Sequence, residues 1–337
     1  MNTKDEICDA LDGNRGDQAP PAIFTQTGTV GQMDRCGACW PEANFDAEKM
    51  AQLAVQPAEM FGFAMAKVPF CVTIIPEILG CDISKGNKGA QPAVTASPWR
   101  NDDMMLVEPP DVMSPDEFLS SGRCPMILEA AEKVRSRRED LFLICGMEDA
   151  FSTAYQMTGL ETFLMGAMMD PDLCRSWVEA VKPCLKAYAA ALSEVSDDVQ
   201  LIVESATDVM PAEMFHDFVE GSASDIVGCI KKSYSTVHSC GETSEILEDL
   251  ASMGETGLSV ETYYDPVGVA ERIAKKVRIV GGVPPVNHLM QGTPAIIRED
   301  AIKCSDAGFA IIAPECGVPP LTPNENLMAL AKYRENL

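Results

Sequence analysis

The sequence predicts an α/β fold, a closed (β/α)8 barrel of the TIM type. Short runs rich in β-branched and aromatic residues recur along the 337 residues, and amphipathic stretches with apolar positions at helical spacing lie between them. The strand-like runs are continuously apolar rather than alternating, which suits a parallel sheet covered on both faces. A chain of this length could be two ordinary domains or one large barrel, because such barrels run to about 250 residues or more as one unit. No Gly/Ser-rich or Pro-rich linker interrupts the rhythm, so a single domain is expected over 1–337.

The elements follow in chain order. The first strand is expected at 22–26 (AIFTQ), before a helical stretch at 46–62 (DAEKMAQLAVQPAEMFG), and the second at 66–70 (AKVPF). Residues 84–124, rich in Gly, Pro and Asp, read as a long excursion before the amphipathic PMILEAAEKVRSRRED and the third strand, 141–146 (LFLICG). A helical insertion of two helices is expected at 150–195, as a lid, before the fourth strand at 199–204 (VQLIVE). The fifth is 235–239 (STVHS), followed by TSEILEDLASMG; the sixth is 257–261 (GLSVE), the seventh 277–282 (VRIVGG) and the eighth 308–313 (GFAIIA).

Composition excludes several partners. With 51 acidic residues against 26 Lys and Arg, the formal charge is -25, which repels phosphate backbones and anionic membrane surfaces. No window approaches the roughly 18 to 20 apolar residues of a spanning helix. The start MNTKDEICDALDG lacks an apolar core of signal length, and thirteen cysteines in such a chain are not a disulfide framework, so a reducing cytoplasm is expected.

Active sites of parallel barrels sit at the C-terminal ends of the strands. His238 and Cys240, in VHSCGET, end the fifth strand, and Cys316 follows the eighth in GFAIIAPECG, so all three belong to one rim. Two thiolates and an imidazole suit Zn²⁺, and three protein ligands leave a position open for a reacting group. Glu261, ending the sixth strand on the same rim, is a candidate fourth, exchangeable ligand and proton acceptor. The competing reading is a packed rim histidine with inert thiols.

Other candidates are weighed in the same way. Cys36 and Cys39, in CGAC, have the spacing of a redox pair or zinc knuckle, but no second CxxC accompanies them, and ordinary thiols on a turn are the plainer reading. The remaining cysteines, among them Cys145, Cys174, Cys184 and Cys304, read as small core residues. Gln26, Glu204, Asp208 and His288 lie at or just after strand ends and are expected to line the pocket, although Asp208 ahead of Pro211 suits a helix cap equally well. His216, inside PAEMFHDFVE, is expected on a helix surface.

Taken in order, VPFCVTIIPEILGCDI, VHSCG, GGVPPVNHLMQGTP and PECGVPPLTPNENLMAL resemble the uroporphyrinogen decarboxylase superfamily over nearly the full length. The decarboxylases of that superfamily carry RQAGR after the first strand, whose arginines hold substrate carboxylates; here TQTGT puts Thr25 and Thr29 in their places. Their aspartate after the second strand is replaced by Cys71, and their GHG by Glu315-Cys316-Gly317. A pocket stripped of these groups should bind a porphyrinogen with eight carboxylates poorly. HxCG and a C-terminal CG instead resemble the superfamily's zinc methyltransferase branch, as do FTQTGTVGQMDRCGACWPEA and GMEDAFS, with the methanol-pathway enzyme nearer than the methylamine-pathway one.

This resemblance implies Zn²⁺ on His238, Cys240 and Cys316, and a methyl group moved from a methylcobamide, supplied by a partner corrinoid protein, to the thiol of coenzyme M in methanogenesis from methyl compounds. A barrel that acts on or binds a tetrapyrrole, or that uses another thiol acceptor, is the alternative.

Overall fold

The computed structural model of the protein describes residues 2–203, 209–261 and 265–335. Its centre is a parallel sheet of seven strands: β1 (Met65–Val68), β4 (Phe142–Glu148), β5 (Asp198–Val203), β6 (Tyr234–Ser239), β7 (Gly257–Val260), β8 (Arg278–Val283) and β9 (Ile311–Pro314), each hydrogen-bonded to the next in that order. Two short strands, β2 (Asp82–Ser84) and β3 (Ala93–Ala96), pair antiparallel in the excursion between β1 and β4. The sheet strands are buried along almost their whole lengths. Burial here does not make every position apolar: Lys67, Gln200 and His238 are buried and line the central cavity.

Seven expected strands match within three residues at each end, and the first does not. Residues 22–26 form no strand; the segment contributes one parallel bridge, Pro21 to Ile312, with the Ala22 amide donating to the Ile312 carbonyl at 2.9 Å. The Ile312 amide in turn donates to the Pro20 carbonyl at 3.1 Å, but the next rung would need an N–H from Pro314 at the end of β9, which has none, so the ladder stops before residues 23–26. The last strand begins at Ile311 rather than residue 308, because Gly308, at φ 105°, caps the preceding helix Pro294–Ala307 in the left-handed conformation.

The expected pair of helices at 150–195 is three: Ala150–Thr158, Leu160–Met169 and Pro171–Val195. Gly159 at φ 95° breaks the first from the second. The Asp170 carboxylate then accepts the Leu173 amide at 3.1 Å and, with Pro171 at the first helical turn, starts the third. The third helix carries Trp177, fully buried, whose indole N–H donates to the Val107 carbonyl at 2.6 Å and whose ring meets Trp99 edge-on at 5.9 Å. That contact pins the excursion onto the helical insertion. The insertion in turn supplies Tyr155 and Gln156 to the wall of the central cavity.

No helix among the described residues is long and apolar enough to cross a membrane.

Candidate metal centre and active site

The site is set by strand register. Ile202 on β5 pairs with His238 on β6, and His238 pairs with Ser259 on β7, so the three lie at one level of the sheet. His238 is buried and its Nδ1 faces the Ser259 hydroxyl at 3.0 Å, which leaves Nε2 directed at the Cys240 sulfur, also 3.0 Å away. Cys240 lies one residue past the end of β6, before Gly241, whose φ of 73° lets the chain turn sharply there. Cys316 lies two residues past β9, with its sulfur 3.3 Å from that of Cys240.

The ligand atoms of His238, Cys240 and Cys316 all lie within 4.8 Å of one another. Cys240, standing as hydrogen-bond donor to it, holds the Cys316 thiol well below the ordinary thiol range, with His238 adding to the effect and burial opposing it. The loop carrying Cys316 is fastened to the first segment of the chain: the Thr25 hydroxyl donates to the Cys316 carbonyl at 2.7 Å, and the Val318 amide donates to the Gln26 carbonyl at 2.8 Å. A thiol pair and an imidazole nitrogen at this separation form a donor set that fits a single borderline-soft ion and leaves one side for another ligand.

The three donors open into a cavity of 390 Å³ at the C-terminal end of the sheet, whose lining includes Gln26, Lys67, Cys71, Glu148, Gln200 and Ile202. Gln26 accepts a hydrogen bond from Gln91 at the mouth. Cys71 is buried and accepts from Arg123 at 3.2 Å. Glu148 is level with Ile202 and accepts from Gln156.

Glu261 is adjacent to the three donors without being one of the group: its Oε1 accepts the Gly241 amide at 3.0 Å. His288 stands apart, in the helix Pro285–Met290, with Nδ1 2.5 Å from Asp300, and it does not line the cavity. Glu204 and Asp208 lie outside the described residues. Cys36 and Cys39 belong to no metal-competent group among the described residues. His216, on the helix Phe215–Glu220, has an exposed side chain beside Glu220 at 3.0 Å and Asp249 at 3.9 Å, and it does not line the cavity.

Two polar residues of the cavity were not singled out by sequence reasoning. Lys67 on β1 is fully buried, and its ammonium donates to the Gln200 Oε1 on β5 at 2.9 Å. Burial pulls the amine down to about 8, against the opposing pull of Asp198, itself pushed up to about 7 by burial. The available signal was a lysine in the middle of an apolar strand, AKVPF.

Residues 2–337 match the uroporphyrinogen decarboxylase (URO-D) family. The chain is 33% identical, over 98% of its length and 97% of the relative's, to the methylcobamide:CoM methyltransferase MtaA of Methanosarcina barkeri (strain Fusaro / DSM 804). It is 30% identical to the methylcobamide:CoM methyltransferase MtbA of Methanosarcina acetivorans, over 99% of this chain and 97% of that one. A solved methyltransferase from Methanosarcina mazei superimposes with a TM-score of 0.89 at 31% identity, covering 99% of this chain and 98% of that one.

Proposed function

The chain belongs to the uroporphyrinogen decarboxylase family, and on that footing we propose that it is a zinc-dependent methyltransferase that moves a methyl group from methylcobamide to the thiol of coenzyme M. The observation that carries this reading is the convergence of His238, Cys240 and Cys316 on one cavity, in a pocket where the decarboxylase arginines are threonines. A tetrapyrrole substrate finds no such arginine pair after the first strand.

In this reading His238 Nε2 and the sulfurs of Cys240 and Cys316 would hold zinc, with Glu261 as an exchangeable fourth ligand. Bound zinc would keep a substrate thiol as its thiolate near neutral pH. Ser259 accepts the Nδ1–H of His238, so that Nε2 presents its lone pair. Glu261, held over the Gly241 amide, takes the proton lost by the thiol. Gln26 and Cys71 line the channel along which substrate enters; the pocket role for His288 gives way to its partnership with Asp300. The thiolate sulfur attacks the methyl carbon in line; the S–C bond forms, the Co–C bond breaks, and the electron pair stays on cobalt as Co(I).

The methylated corrinoid arrives on a protein partner that docks over the strand C-termini. We read the sheet as closing into an eight-staved barrel through residues 20–24, where Pro21 bridges Ile312, with the chain as one domain working in the cytoplasm.

Anaerobic mixing with methylcobalamin and coenzyme M tests the reading, with thiol-dependent appearance of the Co(I) spectrum expected. Equal rates with and without the thiol would refute it. Ser259→Ala should weaken zinc binding by about 10- to 100-fold, because a ligand's outer hydrogen bond orients it. Competition with a chromophoric chelator reads this directly.

A further inference from the structure

The floor of the cavity holds a pair of donors that the metal chemistry does not use. Lys67 carries three N–H donors, of which Gln200 Oε1 takes one, and it forms no ion pair among the described residues. By accepting at Oε1, Gln200 is fixed with its Nε2 turned away from the lysine, and that nitrogen is buried with no hydrogen-bond partner. Both residues line the cavity that receives the three sulfur and nitrogen donors. Gly146 faces the ammonium from β4: a Cβ there would lie 2.7 Å from Lys67 Nζ, so the absence of a side chain is what makes room for the charge.

Position along the strands gives the spacing. Gln200 lies two residues before Ile202, the residue level with His238, and two residues of parallel strand rise about 6.6 Å. The unsatisfied donors therefore sit one strand repeat deeper than the metal-competent group, toward the closed end. The two acids nearby do not occupy the space between. Asp198 lies a further two residues down β5, accepts from Thr236 at 2.7 Å and does not line the cavity. Glu148 is level with Ile202, beside the donors rather than on the floor.

The geometry points to an oxyanion subsite made by Lys67 and Gln200, which holds the sulfonate of the acceptor thiol at the base of the cavity while its sulfur reaches up to His238, Cys240 and Cys316. This rests on the functional reading above and adds an orientation to it. A short thiol anchored by its far end presents sulfur to the mouth, where a methyl donor too large to enter must approach. An unpartnered buried amide and a buried ammonium are expensive to leave unmatched, and a sulfonate supplies acceptors for both.

Two measurements test the assignment. The first is calorimetric titration of ethanesulfonate, which has no thiol, into chelator-treated protein, so that neither metal nor methyl transfer enters the result. Binding to the parent protein, reduced by about 10²-fold in Lys67→Met and weakened in Gln200→Leu, is expected where each folds to the parent circular dichroism spectrum. The second is the ratio of kcat/KM for 2-mercaptoethanesulfonate over 2-mercaptoethanol, which should fall toward unity in Lys67→Met. Gly146→Ala, which crowds the ammonium, is the independent variant and should weaken ethanesulfonate binding with the lysine still present. Propionate binding alongside ethanesulfonate would broaden the ligand to short oxyanions and still support the subsite. Ethanesulfonate binding equally to the parent and Lys67→Met, or not binding the parent at tens of millimolar, would overturn it. Methyl transfer without preference for the sulfonate would refute the subsite alone, whereas sulfonate binding without methyl transfer would refute the functional reading alone.

Discussion

Cys316→Ala should leave the fold intact, reduce bound zinc to a small fraction of one ion per chain, and lower thiol-dependent methyl transfer by about 10³-fold or more. The fold survives because what fastens this loop is backbone: Thr25 donates to the Cys316 carbonyl, and the Val318 amide to the Gln26 carbonyl, and neither bond involves the sulfur. Zinc binding does not survive, because two protein donors remain where three fit a catalytic site. Loss of an outer hydrogen bond to a ligand already costs about 10- to 100-fold in affinity or activity, and loss of a ligand costs more. Metal analysis by plasma emission and the Co(I) assay read the two effects separately. Cys316→Ser, which offers a harder oxygen donor at nearly the same place, should recover part of the metal and little of the activity.

Trp177→Ala is expected to have the largest effect on stability, about 3–5 kcal/mol, lowering Tm by about 4–7 °C. The indole is fully buried on the helix Pro171–Val195, packs edge-on against Trp99, and donates to the Val107 carbonyl. Alanine leaves a cavity and removes that donor together. Trp177→Phe keeps most of the volume and loses the hydrogen bond, so its cost should be about 1 kcal/mol plus a smaller packing loss. The effect extends to the site, because the excursion held by Trp177 also donates from Arg100 to the Gln156 carbonyl, and Gln156 lines the cavity. Urea denaturation of the two variants separates packing from hydrogen bonding; equal midpoints for Ala and Phe would contradict the cavity argument.

The sequence disclosed the site better than it disclosed the sheet's first stave. Positions 238 and 240 could be placed on one rim with 316 because the strand–helix rhythm puts every strand end on the same face, and the rim position of a residue follows from its distance past the apolar run. The segment at 22–26 looked like a strand by its apolar residues, but the next rung after the Ala22–Ile312 bond would need an N–H from Pro314 at the end of β9, which has none. The helical insertion was legible as helical and not as three helices, since Gly159 in mid-stretch could as well have been tolerated inside one. Lys67 is the clearest case of what sequence alone could not supply. Its meaning depends on Gln200, 133 residues away, whose amide meets it only when β1, β4 and β5 lie side by side.

X-ray absorption at the zinc edge, on the purified protein before and after coenzyme M, tests the central claim most directly. The account predicts one zinc per chain with two sulfur neighbours and one imidazole nitrogen among its ligands, and a third sulfur when coenzyme M is added. A shell without sulfur, or one that coenzyme M leaves unchanged while methyl transfer proceeds, would contradict it.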